Sequence, residues 1–240
     1  MTTTWIYRHT LLAASVGALC LLTIPQAGGA DELAGVLSAF DRAQASLQTL
    51  SANFVQTTVN PMLKEPIRAE GRFFMTKPDA IRWEYSTPEQ MEFVIANDRY
   101  TGYFPARKRA ERKNIQRYSE KIFRYFGLGQ QSVELGKSYE ILLADPDPGV
   151  ADAHLLVLEP KKRRARKKVE EVRFWIDRSS FLPVKVEYRG KDGNTRTVEF
   201  SEIVVNPDLS AALYTVEIPS DVTVTKGFSG LPSFDSGTTH

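Results

Sequence analysis

Between residues 67 and 105 the chain reads IRAEGRFFMTKPDAIRWEYSTPEQMEFVIANDRYTGYFP, and apolar or small side chains recur there at every second position. Ile67, Ala69, Gly71, Phe73 and Met75 form one series, Ile81, Trp83 and Tyr85 a second, and Met91, Phe93 and Ile95 a third. Arg68, Glu70, Arg72, Arg82, Glu84 and Glu92 stand between them. A period of two with charge on the alternate positions calls for antiparallel strands with one dry and one wet face. Lys77-Pro78-Asp79, Thr87-Pro88-Glu89 and Asn97-Asp98 supply the turns of a meander. Three consecutive strands are thus expected to send rings and thioethers to a single face, and the cover over that face decides what the protein does.

Upstream, Asp31 and Glu32 precede Leu33, Val36, Leu37, Phe40, Ala43, Leu47 and Leu50, a spacing that makes one apolar stripe with acids at the positive end of a helix dipole. A long amphipathic helix ahead of a meander must bury its stripe on the sheet. Residues 118–128 read as a second, shorter helix with Ile122, Phe123 and Phe126 apolar, stopped by Gly127 and Gly129. Strand patterns return at 51–59, 139–143, 154–159, 170–176, 183–188 and 195–205, with Lys191-Asp192-Gly193-Asn194 as a hairpin turn. Asn206-Pro207-Asp208 is expected to cap a helical turn over 209–213, and 216–219 reads as short strand material. The economical architecture is mainly β, a single antiparallel sheet of about ten strands with about three helical segments.

The first thirty residues differ from the rest. Arg8 precedes an uncharged run at 11–24, LLAASVGALCLLTI, followed by Pro25 and the small residues AGGA. The run is short for a bilayer span and reads as a secretory signal peptide, residues 1–30, cleaved before Asp31, with residues 31–240 forming one domain. The single cysteine, Cys20, lies inside it after Leu19, whereas a lipoprotein signal needs a small residue there. Stability downstream must therefore come from a buried core rather than disulfides. With no downstream cysteine and only His154 internal to it, nucleophilic triads and His/Cys metal sites lack material. No enzyme, cofactor or metal is expected.

Two basic runs stand out against a net charge of +2. KKRRARKK at 161–168 carries seven charges in eight residues, and 107–117 carries six with one Glu. Behind a signal peptide, nucleic acid is not their expected partner. The first reads as the solvated end of a hairpin between Leu158 and Val169, or as a contact for anionic lipid headgroups or an acidic protein.

The order of signal peptide, leading helix, F-x-Q (Phe54, Gln56), then Gly71, Phe73, Lys77-Pro78, Ile81, Trp83, Tyr85 and Pro88 resembles the periplasmic outer-membrane lipoprotein carriers, the LolA-like proteins. The likeness is sharp over 52–104. It implies an incomplete antiparallel β-barrel, a half-barrel whose concave apolar face is covered by a long N-terminal helix and short lid helices. It also implies a periplasmic carrier, a monomer, that shuttles the acyl chains of lipoproteins or related lipids between inner and outer membranes. An inner-membrane ATP-driven exporter would load it and an outer-membrane lipoprotein receptor unload it. The acyl chains would contact Phe40, Phe73, Met75, Ile81, Trp83, Tyr85, Met91, Phe93, Ile95, Phe123 and Phe126. Lys77 stands where the best-known carriers place the arginine that latches the lid. The alternative on the same fold is a lipid-sensing regulatory module of the cell envelope.

Overall fold

The computed structural model describes residues 1, 28–115, 129, 131–146, 150 and 152–228. The expected helix at 118–128, with Phe123 and Phe126, lies outside them, as does nearly all of the expected signal peptide.

Helix α1 (Gly28–Ser46) opens the described chain, three residues ahead of the predicted start. Strands β1 (Thr49–Val59), β2 (Ile67–Thr76), β3 (Ala80–Thr87), β4 (Met91–Ala96), β5 (Arg99–Phe104) and β6 (Arg109–Asn114) come next as a meander. After α2 (Ser132–Gly136) come β7 (Tyr139–Ala144) and β8 (Ala153–Pro160). A single helical turn, α3 (Arg163–Arg166), leads to β9 (Val169–Asp177), β10 (Pro183–Gly190), β11 (Thr195–Val205) and the short β12 (Thr223–Lys226). All twelve strands form one sheet in the order β12-β6-β5-β4-β3-β2-β1-β11-β10-β9-β8-β7. The two halves join where β1 pairs β11, and β12 and β7 are left as separate edges, so the barrel is open.

Two strands exceed the predicted set. β6 carries RAERKN, which has no apolar alternation to betray it, and β12 adds to it in parallel, the one parallel pair in the sheet. The expected strand at 216–219 is not formed, and β12 lies beyond it. Nor does Asp208 cap the turn after β11: a 3-10 turn at Ala211–Tyr214 is capped by Ser210, whose Oγ accepts from the Ala212 amide. Asn206 caps elsewhere, at the end of α1. The Asn97-Asp98 turn has both residues at positive φ (50° and 58°), the type I′ geometry that suits a two-residue hairpin between β4 and β5.

Twelve strands at the usual spacing would make a flat sheet about 50 Å wide. Yet Tyr100 on β5, Trp83 on β3, Phe200 on β11 and Leu158 on β8 belong to one contiguous cluster with Phe40 of α1. Strands this far apart in the order share one cluster because the sheet curls. The inner face collects the predicted period-two series and its counterpart from the second half, Leu156, Leu158, Val172, Phe174, Val186, Val198 and Phe200. The outer face is charged. Arg82 pairs Glu84 at 2.5 Å and Glu92 at 2.8 Å, and donates to the Leu213 carbonyl at 2.8 Å, which seats the 3-10 turn on the sheet. A smaller apolar cluster of Ala153, Leu155, Val157 and Trp175 occupies the face opposite Leu156 and Phe174.

Candidate functional site

The inner face is built on a band of rings. Trp83 is the hub, 4.7 Å from Phe54, 4.8 Å from Phe73 and 6.2 Å from Phe200 between ring centres. Tyr85 extends the band to Phe93 at 5.6 Å, and Phe93 to Phe104 at 5.6 Å. These tilted and edge-on contacts suit the charge distribution of aromatic rings. Gly71 makes room for them at the β2–β3 crossing. A Cβ there would lie 1.8 Å from the Glu84 carbonyl oxygen and 2.9 Å from Phe54 Cε1. Because the nearer atom is backbone, Gly71→Ala is expected to destabilise by about 3 kcal/mol, read from a urea titration.

Each predicted contact residue within the described part lies on this face, except Phe40, which α1 packs into the same cluster. Phe40, Phe73, Met75 and Trp83 are fully buried, Ile81, Tyr85, Phe93 and Ile95 nearly so, and Met91 is half-buried. In this form they pack against one another and against α1. A cavity of about 680 Å³ touches only Tyr85 and Met91 of that set. It opens beside Phe54 and Gly71 toward the charged Glu70, Arg72, Glu84 and Glu92. A groove of about 470 Å³ runs between α1 and the Gln131–Ser132 entry to α2. The face is thus closed.

Polar clasps hold α1 over it. The last carbonyls of a helix have no partner of their own, and the last turn of α1 contains no basic residue. Lys77, from the turn between β2 and β3, supplies both needs: its Nζ donates to the Gln44 carbonyl at 2.6 Å and places a positive charge at the negative end of the helix. Burial pushes its pKa below the ordinary lysine range. Gln44 is itself buried; its Oε1 accepts from the Gly129 amide at 2.6 Å, while its Nε2 has no partner among the described residues. A second clasp ties α1 to α2, where the Asp41 carboxylate accepts from the Ser132 amide at 2.6 Å and from its hydroxyl at 2.7 Å. At the junction into β1, Asn206 Oδ1 accepts from the Gln48 amide at 2.7 Å and its Nδ2 donates to the Ser46 carbonyl at 3.1 Å.

The family resemblance points to Lys77 without naming its contact; Asp41 and several rings are not singled out by the sequence, and Asn206 reads there only as a cap for the turn after β11. Phe54 and Phe200 were accessible from the alternation of their own strands. Gln56, quoted in the F-x-Q pattern, accepts from the Tyr85 hydroxyl at 3.0 Å, so two sequence patterns meet as one contact. Burial drives the Tyr85 pKa well above the ordinary tyrosine value, against smaller opposing effects of Arg196 and Trp83.

No three His, Cys, Asp or Glu side chains come together in a metal-holding group among the described residues. No described helix is long and apolar enough to cross a membrane. His154 stacks beside Phe181 at 6.0 Å. Burial, then the Arg178 charge, hold its pKa below 6.5, with Glu32 pulling weakly upward. The unfolded chain therefore binds the proton more readily, and stability falls as pH drops through 6.5, levelling below the folded value. His154→Gln is expected to remove that part of the acid loss, as followed by thermal melts across the range.

Residues 45–217 match the family model described as "Outer membrane lipoprotein carrier protein LolA". An outer-membrane lipoprotein carrier protein of Bordetella avium is 27% identical over 222 residues, 91% of this chain and 99% of that protein. Its counterpart from Chromohalobacter salexigens is 23% identical over 220 residues, 91% and 96% of the two chains. Among solved structures, an uncharacterized conserved protein from Thermus thermophilus superposes with a TM-score of 0.53 at 13% identity, covering 82% of this chain and 99% of that one, a likeness of fold.

Proposed function

This chain belongs to the LolA family of outer membrane lipoprotein carrier proteins, and on that premise we propose that it is a periplasmic carrier that receives lipoprotein acyl chains between its sheet and α1. The observation that carries the reading is a one-sided band of rings, from Phe104 across Trp83 to Phe200, with a helix packed on it and held by a few polar clasps. An acyl chain entering the band gains roughly 0.8 kcal/mol per buried methylene, on the order of 12 kcal/mol for a sixteen-carbon chain. Several such chains would bind too tightly to release unless opening the site consumed part of the gain.

The closed face supplies that opposing term. Lifting α1 exposes rings to water and breaks the Lys77–Gln44 and Asp41–Ser132 bonds, so cargo must compete with the protein's own core. Phe40 leaves and acyl carbon takes its place. The chemistry is burial and release, with no covalent step. Phe73, Met75, Ile81, Trp83, Tyr85, Met91, Phe93 and Ile95 would line the opened space. An inner-membrane ATP-driven exporter would load the carrier, and an outer-membrane lipoprotein receptor would unload it.

Native mass spectrometry of the protein taken gently from its own periplasm tests this. Bound lipoprotein or lipid, released by an excess of detergent, is the expected result. Protein that is consistently empty, and that fails to take up a diacylated lipopeptide in solution, overturns the reading.

A further inference from the structure

The sheet explains two of the seven cations in the run at 161–168. Lys161 Nζ donates to the Gly136 carbonyl at 2.7 Å, stitching the turn to α2. Arg166 closes the turn on itself, donating to the carbonyls of Pro160 and Lys161, each at 2.8 Å. Lys168 contributes its carbonyl to the Lys191 amide at 2.9 Å and has a side-chain or electrostatic partner as well. That leaves Lys162, Arg163, Arg164 and Lys167, all exposed, around the single turn α3, with no ion pair to any described residue.

Four other cations at the same end of the sheet are matched: Arg107 with Glu89, Lys108 with Asp221, Arg109 with Glu111 and Lys191 with Glu170. Four like charges within one short turn repel one another, and a solvent-facing hairpin needs none of them to fold. Val133 on α2, tied to the same turn through Lys161 and Gly136, is 67% exposed. The patch therefore joins a dense cationic turn, braced by backbone hydrogen bonds, to an exposed apolar residue. Its four cations stand exposed around one short turn, whereas specific protein recognition is built on buried anchors. A flat, diffuse anion of high charge density suits it better.

We infer that the turn at 161–168 is a docking surface for anionic phospholipid bilayers, engaged through Lys162, Arg163, Arg164 and Lys167. The inference does not depend on cargo, since an empty protein would dock equally well. Each cation held near an anionic bilayer strengthens binding by a factor of roughly five, so four together contribute on the order of several hundred-fold. The attraction falls off within a Debye length and so weakens as salt is raised.

The test is flotation of the periplasm-purified protein with phosphatidylcholine vesicles, alone or containing about one-third phosphatidylglycerol. Binding is expected only to the anionic vesicles and is expected to vanish at about 0.5 M salt. K162Q/R163Q/R164Q/K167Q should bind at least a hundred-fold more weakly, with an unchanged melting temperature. K162R/R163K/R164K/K167R should retain binding. A variant that loses four exposed cations at the opposite end of the sheet, R99Q/R112Q/K113Q/K226Q, controls for net charge and should bind nearly as the wild type. Equal loss in that control, or capture of the protein by acidic polypeptide but not by anionic vesicles, overturns the inference. So does wild-type binding by the fourfold Gln variant.

Discussion

Trp83→Ala is expected to lower the free energy of unfolding by about 3–5 kcal/mol, seen as a shifted urea midpoint with little change in slope. Trp83 has no exposed surface and lies within 6.2 Å of the ring centres of Phe54 on β1, Phe73 on β2 and Phe200 on β11. Those rings belong to three hydrogen-bonded strands, so they cannot move inward to fill the space; the cavity persists and its unmade contacts are lost. Trp83→Phe keeps most of the contact surface and is expected to lose less than half as much. If the alanine variant loses only what a surface substitution loses, the band is loosely packed. Closure by α1 would then supply no opposing term for cargo release.

The second large effect is on cargo rather than on stability alone. Lys77→Leu combined with Asp41→Ala removes the cation at the end of α1 and the carboxylate that binds Ser132. A hydrogen bond to a charged group contributes about 1.5–3 kcal/mol, so each loss favours the open form by roughly ten- to a hundred-fold. In the proposed mechanism cargo binds the open form, and weakening closure therefore raises apparent affinity until the open form predominates. Release of a fluorescent diacylated lipopeptide to acceptor vesicles is accordingly expected to slow by about tenfold or more. Amide hydrogen exchange along α1 should quicken in the empty protein. Unchanged release and unchanged exchange would remove both side chains from the closing mechanism.

The inner face was legible because burial on one side of an antiparallel strand writes itself at every second residue, as in Phe73-Phe74-Met75 and Ile81-Arg82-Trp83. The strands of the second half were legible for the same reason. β6 was not, because its residues are mostly charged and their positions are set by pairing with β5 and β12 rather than by a buried stripe. Asn206 shows a different limit. Asn-Pro-Asp reads locally as a cap for the next helical turn, whereas the Asn206 side chain reaches back 158 residues to Gln48. Contacts of that span leave no local pattern. The partner of Lys77 was hidden likewise, since any carbonyl in the last turn of α1 would have satisfied the same rule.

Downstream of residue 30 the chain contains two tryptophans, and the sheet puts them on opposite sides. Trp83 sits at the centre of the ring band. Trp175 lies in the outer cluster with the Lys185 ammonium 4.7 Å from its ring centre. Indole emission varies with local polarity, so each side of the wall has its own lamp. In the chain from residue 31 onward, conservative exchange of the outer one to phenylalanine leaves Trp83 as the one indole, whose colour tracks whatever lies beneath α1.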